Sequence, residues 1–197
     1  MNEYNFSCII LAAGSGTRFG SKKQYLELNN TPLWQIVYNK CKRVSKDVVV
    51  VGVDVPGGDT RQSSVKIGLD HITKDRVVIL EAARPLVLES QILSIANSLN
   101  SSVSLFSNTV DTIYSSKLGY IDREFCMNLQ VPQAFNSKIL KEAHKKTKRT
   151  NATDDTILMH EEFGITPEFL PGGENLFKIT YPADIFVLEN LCKKYPL

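Results

Sequence analysis

Little in this sequence serves thiol, metal or membrane chemistry. The four cysteines, Cys8, Cys41, Cys126 and Cys192, are scattered and form no C-x-x-C pair. That argues against a zinc ribbon or a redox dithiol and leaves buried free thiols in a reducing cytoplasm as the expectation. The three histidines, His71, His144 and His160, have no ligand-type neighbour at close spacing and fall in polar helical stretches. All three are expected at the surface, outside any metal site. No apolar run approaches the length of a bilayer span. The opening MNEYNF lacks a basic segment followed by an apolar core, so no signal peptide is expected. The net charge is only +2, too small for an extended nucleic-acid surface. Neither nucleic acid nor membrane is therefore an expected partner, and the expected location is cytoplasmic. The tripeptide Gly-Lys-Ser/Thr that ends a P-loop is missing as well.

What is present is concentrated in residues 6–25, FSCIILAAGSGTRFGSKKQY. Residues 6–11 are a short apolar run that reads as a buried strand. Ala12, Ala13, Gly14 and Gly16 then remove side chains where that strand ends. Such a loop lets backbone N–H groups approach an anion closely. Arg18, Lys22 and Lys23 follow in the same loop, so backbone donors and three cations together suit a polyphosphate. The dinucleotide fingerprint G-x-G-x-x-G does not fit, because Gly20 comes one residue late and cations occupy the loop.

Further along, Thr31-Pro32 reads as a helix start, with apolar residues at helical spacing through Val44. Residues 47–55 read as a second buried strand, and Pro56-Gly57-Gly58-Asp59 as the turn after it. Thr60 can cap the next helix. Residues 76–80 and 103–106 read as two more strands, residues 108–126 as a protruding β-arm, and residues 129–135 as an extended piece around Pro132. Helices are expected near residues 137–146, up to Glu162, and after Pro182, the last with Ile185, Phe186, Leu188 and Leu191 inward. Over 197 residues, this alternation predicts one α/β domain: a Rossmann-like, mostly parallel sheet flanked by helices. Ligands of such sheets sit beyond the carboxyl ends of the strands. Residues 12–23, 56–64 and 81–85 all follow strand ends and are expected to meet in one crevice.

The run AAGSGTRFGSKKQYL resembles the signature of the nucleotidyltransferases that form CDP-polyols, the 2-C-methyl-D-erythritol 4-phosphate and ribitol-5-phosphate cytidylyltransferases. The resemblance extends over residues 6–192. It implies CTP and a polyol phosphate as substrates, Mg²⁺ as cofactor, and a homodimer formed through the arm. Arg18, Lys23 and Lys178 (in GGENLFKITYPADI) match the cations that hold the triphosphate and the α-phosphate. Ala12, Ala13, Gly14 and Gly16 match the nucleotide loop. Gly58, Asp59 and Ser64 match the turn that reads the base, whose cytosine amino group would donate to backbone carbonyls. Glu81 stands where the family has a metal-binding Asp, in Glu81-Ala82-Ala83-Arg84-Pro85. Arg84, Asp111, Thr112, Arg123 and Thr153 match acceptor elements, those of the arm being supplied by a second subunit.

The chemistry agrees with the missing Ser-His and Cys-His pairs. A phosphomonoester is largely a dianion at neutral pH and attacks without a general base. The obstacle is repulsion between anions, and cations with Mg²⁺ relieve it. 2-C-methyl-D-erythritol 4-phosphate is the first expectation for the acceptor and ribitol 5-phosphate the second. Glu81 for Asp, Val131 for a Thr, and a missing strand–helix unit before Gly57 motivate a third reading, a nucleotide-binding protein without catalysis.

Overall fold

The valine- and isoleucine-rich runs become strands covered on both faces. The structure is a computed structural model that describes residues 5–195 and 197; residues 1–4, on which part of the N-terminal reading rests, lie outside the described residues. The chain begins with β1 (Ser7–Leu11), a small hairpin of β2 (Glu27–Leu28) and β3 (Thr31–Pro32), helix α1 (Leu33–Val44) and β4 (Asp47–Val51). Helix α2 (Arg61–Asp70), β5 (Arg76–Glu81), α3 (Glu89–Ala96) and β6 (Ser102–Asn108) follow. The arm carries a hairpin of β7 (Ile113–Ser115) and β8 (Gly119–Ile121). Then come β9 (Met127–Asn136), α4 (Ser137–Lys146), α5 (Asp155–Phe163), β10 (Glu168–Pro171) and α6 (Asp184–Cys192).

Six strands form the main sheet in the order β10-β6-β9-β5-β1-β4. Every pairing is parallel except those of β9, which runs antiparallel between β5 and β6. Side chains alternate across the sheet, as pleating requires. Cys8, Ile10, Val50, Val78 and Leu80 face one core with residues of α1 and α3. Ile9, Val49, Val51, Val77 and Ile79 face the other, with Val65, Leu140 and Leu158 from α2, α4 and α5. A third cluster joins α6 to Phe19 and α1. No helix among the described residues is long and apolar enough to cross a membrane.

Five local expectations need correction. The second strand ends at Val51, not Val55. Gly52, at φ +102, turns the chain and donates its N–H to Val55 O. A Cβ there would lie 2.7 Å from Ala12 and Ala13 backbone atoms, so only glycine permits this approach. Thr31 is not a cap: it pairs with Leu28 in the hairpin, and α1 begins at Leu33. Phe186 points outward, while Ile185, Leu188 and Leu191 pack inward. His144 is buried, because α4 turns it toward the core four residues after Leu140. Of the cysteines, Cys8 and Cys41 are buried free thiols, whereas Cys126 and Cys192 are partly exposed.

Gly68 sets how closely α2 lies on the sheet. A Cβ at this position would meet Ile9 Cγ2 at 2.7 Å and Val51 Cγ2 at 3.1 Å. Gly68→Ala is expected to cost about 1–3 kcal/mol through overpacking, despite alanine's better helix propensity. Urea unfolding checks this; an unchanged or higher midpoint would show that the contact has slack.

Candidate active site

Three parallel strands end at one level. Leu11 is paired with Val51 on one side and with Glu81 on the other, so the loops after β1, β4 and β5 leave the sheet together. They enclose a cavity of about 270 Å³. Ala12, Ala13, Gly14, Gly16, Arg18 and Lys23 line it from the first loop. Asp59 and Ser64 line it from the start of α2, Glu81 from the end of β5, and Lys178 from the late segment before α6. The convergence expected from the sequence is thus present in a single chain.

The first loop is held at both ends. Gly16, at φ +71, accepts from the N–H groups of Phe19 and Gly20, and a Cβ there would overlap Ser21 O. Phe19 is buried against Leu33, Ile36, Leu86, Ile179 and Leu188, which anchors the backbone beside the exposed Arg18. Gln24 is buried and donates to Gly14 O at 3.1 Å. The late segment lies against the loop after β5: Ile179 N–H donates to Ala83 O, and Arg84 donates to Leu176 O. Lys23 Nζ reaches across to Ile179 O at 2.6 Å.

Charge is packed tightly here. Lys178 Nζ lies 2.7 Å from Glu81 Oε2, Arg84 Nε 3.5 Å from the same oxygen, and Arg61 Nε 3.6 Å from Oε1. Burial alone would raise the Glu81 pKa, but Lys178, then Arg84 and Arg61, bring it down to about 2. Burial lowers Lys23, and the nearby charges of Lys178 and Arg18 lower it further. Mutual repulsion among these cations is what an anionic ligand would relieve.

The turn before α2 is ordered by its own side chains. Thr60 caps the helix as expected: its Oγ1 accepts from Ser63 N–H, and Ser63 Oγ accepts from Thr60 N–H. Gly58 N–H donates to Ser64 Oγ at 3.1 Å. This leaves Gly58 adjoining the cavity, though it does not line it. Arg84 likewise stands behind Glu81. Asp111, Thr112 and Arg123 are exposed on the arm, and Thr153 is exposed before α5; none of the four lines the cavity.

Sequence reasoning missed Arg61, which lines the cavity, and Asp155 and His144 behind it. Arg61 NH1 donates to Asp155 Oδ2 at 2.6 Å, and Asp155 Oδ1 lies 3.0 Å from His144 Nε2. Burial works against the Arg61 charge, yet Asp155 and Glu81 hold its pKa above the ordinary value. One signal was available. Arg61 is the first residue of α2, where the helix dipole disfavours a cation, so a buried anionic partner was implied.

The chain matches the family described as "IspD: 2-C-methyl-D-erythritol 4-phosphate cytidylyltransferase" over residues 40–194. It is 31% identical over 207 residues to the 2-C-methyl-D-erythritol 4-phosphate cytidylyltransferase of Aquifex aeolicus, covering 94% of this chain and 97% of that one. It is 31% identical over 224 residues to the protein of the same name from Clostridium botulinum (strain Loch Maree / Type A3), covering 95% and 97%. The crystal structure of 2-C-methyl-D-erythritol 4-phosphate cytidylyltransferase from Thermus thermophilus superposes with a TM-score of 0.80 at 26% identity, over 95% of this chain and 98% of that one. The bifunctional IspDF of Campylobacter jejuni also gives 0.80, at 29% identity, over 92% of this chain but only 53% of its own length.

A carboxylate with a depressed pKa contributes stability above its unfolded-state pKa and loses it as the pH falls toward the folded-state value. For Glu81 that window runs from its usual 4.5 down to about 2. Glu81→Gln should therefore lower stability by about 3 kcal/mol at pH 7 and flatten the acid limb below pH 4.5. Chemical denaturation at several pH values checks both; an acid limb as steep as in the parent would rule out Glu81 as its source.

Proposed function

Because the chain belongs to the 2-C-methyl-D-erythritol 4-phosphate cytidylyltransferase family, we propose that its cavity binds CTP and transfers CMP to 2-C-methyl-D-erythritol 4-phosphate. A phosphate oxygen of the acceptor forms a bond to the α-phosphorus of CTP. The bond from that phosphorus to the bridging oxygen breaks, and pyrophosphate leaves with the electron pair. The observation that carries this reading is the shared cavity of Arg18, Lys23 and Lys178. Arg18 and Lys23 take the leaving phosphates, and Lys178 meets charge at the α-phosphorus. No side chain is needed as a base, since the acceptor arrives ionised. Asp59, Ser64 and the Gly58 turn face the base, with Ala12, Ala13, Gly14 and Gly16 around the phosphates.

The site fits Mg²⁺ as a companion of the nucleotide. No group of three His, Cys, Asp or Glu side chains that could hold a metal occurs among the described residues. Mg²⁺ fills most of its octahedron from phosphates and water and needs one or two carboxylates. Glu81, on the cavity wall, would supply one once a nucleotide draws Lys178 away from its Oε2. When bound, the ion draws charge from the phosphate oxygens.

The acceptor end is completed by a second subunit. Val110, Tyr114, Leu118, Tyr120 and Phe125 stand exposed on or beside the arm, an apolar set suited to burial against another copy of the chain. Asp111, Thr112 and Arg123 on that arm would reach the partner's acceptor, beside Arg84 and Thr153. Val131, one of the departures that motivated a reading without catalysis, is buried in β9 and does not line the cavity. The retained cation cluster speaks against a role in binding alone. A cytoplasmic location follows from soluble substrates.

Lys23→Ala and Lys178→Ala should each lower kcat by about 100-fold or more in pyrophosphate release from CTP with 2-C-methyl-D-erythritol 4-phosphate. Near-normal rates in both would reject their roles, and a parent protein inactive with this acceptor but active with ribitol 5-phosphate would reassign it. Arg123→Ala should raise the acceptor KM about tenfold or more and leave the CTP KM within about twofold. A change confined to the CTP KM would contradict the arm's placement.

A further inference from the structure

A buried chain of polar contacts runs from α4 to the cavity. His144 Nε2 lies 3.0 Å from Asp155 Oδ1, and Asp155 Oδ2 accepts from Arg61 NH1 at 2.6 Å. Arg61 Nε is 3.6 Å from Glu81 Oε1, and Glu81 Oε2 is 2.7 Å from Lys178. The His144 and Asp155 side chains are 2% and 0% exposed, so neither can touch a nucleotide in the cavity. Arg61 alone of the first three members lines it.

We infer that His144 and Asp155 are positioning residues for the nucleotide site, acting through Arg61. A carboxylate only accepts hydrogen bonds, so the His144 nitrogen that faces it carries the proton. With one oxygen taken by the imidazole, the Asp155 carboxylate cannot rotate, and its other oxygen presents one fixed acceptor to Arg61. Arg61 needs this anchor, because it stands at the positive end of α2 and faces other cations. Once anchored, it stays at Glu81. This matters when a triphosphate arrives and competes for Lys178. Glu81 then loses one of its three cations and remains neutralised by Arg61 and Arg84. Without the anchor, Arg61 is free to leave the wall, and Glu81 holds Lys178 more tightly against the nucleotide. The inference rests on the CTP reading of the cavity and adds to it residues that touch no substrate.

The test compares side chains by reach. His144→Gln carries an amide N–H about as far out as Nε2, whereas His144→Asn carries one only as far as Nδ1, and His144→Phe keeps the ring without a donor. Leu140→Val, in the same helix and core, is the control for lost packing. In pyrophosphate-release assays at a temperature where each variant is folded, His144→Phe and His144→Asn should lower kcat/KM for CTP about tenfold, the size expected for one charged hydrogen bond. The acceptor KM should stay within about twofold. His144→Gln should recover most of the loss, and Leu140→Val should lower the melting temperature without changing the kinetics. Should His144→Phe not fold, the Gln and Asn pair decides. Equal kinetics for Gln and Asn, or a Leu140→Val loss that parallels theirs, would overturn the positioning role. An inert parent enzyme would instead overturn the CTP reading of the cavity, and this inference with it.

Discussion

One carboxylate makes the rest of the site possible. Arg61, Arg84 and Lys178 all converge on Glu81, and Arg18 and Lys23 stand on the same cavity wall. Two unit charges 4 Å apart interact by on the order of 4 kcal/mol at the effective dielectric near a protein surface. Cations gathered at such distances with nothing between them would disperse into solvent or open the fold. Glu81 compensates for them while leaving the cluster net positive. The result is a cavity in which Arg61 and Arg84 are held in place before any substrate arrives, so that part of the charge stabilisation needs no reorganisation.

The sheet enforces this geometry through register. Leu11, Val51 and Glu81 are level across three strands, so the point where β5 stops being apolar is also where the first loop begins. A shift of one residue would turn Glu81 to the other face and carry the apolar set of β5 with it. The buried alternation on both faces therefore protects the position of a charged group at the strand end. The late segment joins the same level by backbone contacts, Ile179 to Ala83 and Lys23 to Ile179. Lys178 arrives there although more than 150 residues separate it from Lys23.

Much of this was legible in the sequence, and the parts that were not share a cause. Runs such as RVVIL announce strands because β-branched residues suit a sheet buried on both faces. Small residues at their ends announce close backbone approach, and Gly16 bears that out, whereas Gly52 ended a strand that its valine neighbours suggested would run on. The direction of β9 was not legible, since strand direction depends on which partners flank it and leaves no mark on its own side chains. Thr31 failed as a cap because a two-residue hairpin claimed its backbone first. His144 failed for a different reason. Its neighbours are lysines, and composition outweighed spacing, although Leu140, Ala143 and His144 share one face of α4. Arg61 lies between Asp59 and Ser64, and Asp155 two residues after Thr153, but the resemblance assigned roles only to those neighbours.

That last omission has a physical moral about phosphate sites. Side chains that touch a phosphate must be able to exchange partners, because the ligand comes and goes. Lys178 is 38% exposed and suits such exchange, whereas the Asp155 that holds Arg61 is fully buried. Mobile cations need immobile ones behind them, or the resident carboxylate would retain every positive charge it meets. Burial of an ion pair is costly and gives little net stability, so fold stability alone does not explain the Arg61–Asp155 pair. On the proposed reading its location between the helix core and the cavity explains it better: it would keep Glu81 neutralised by protein when Lys178 turns to the nucleotide.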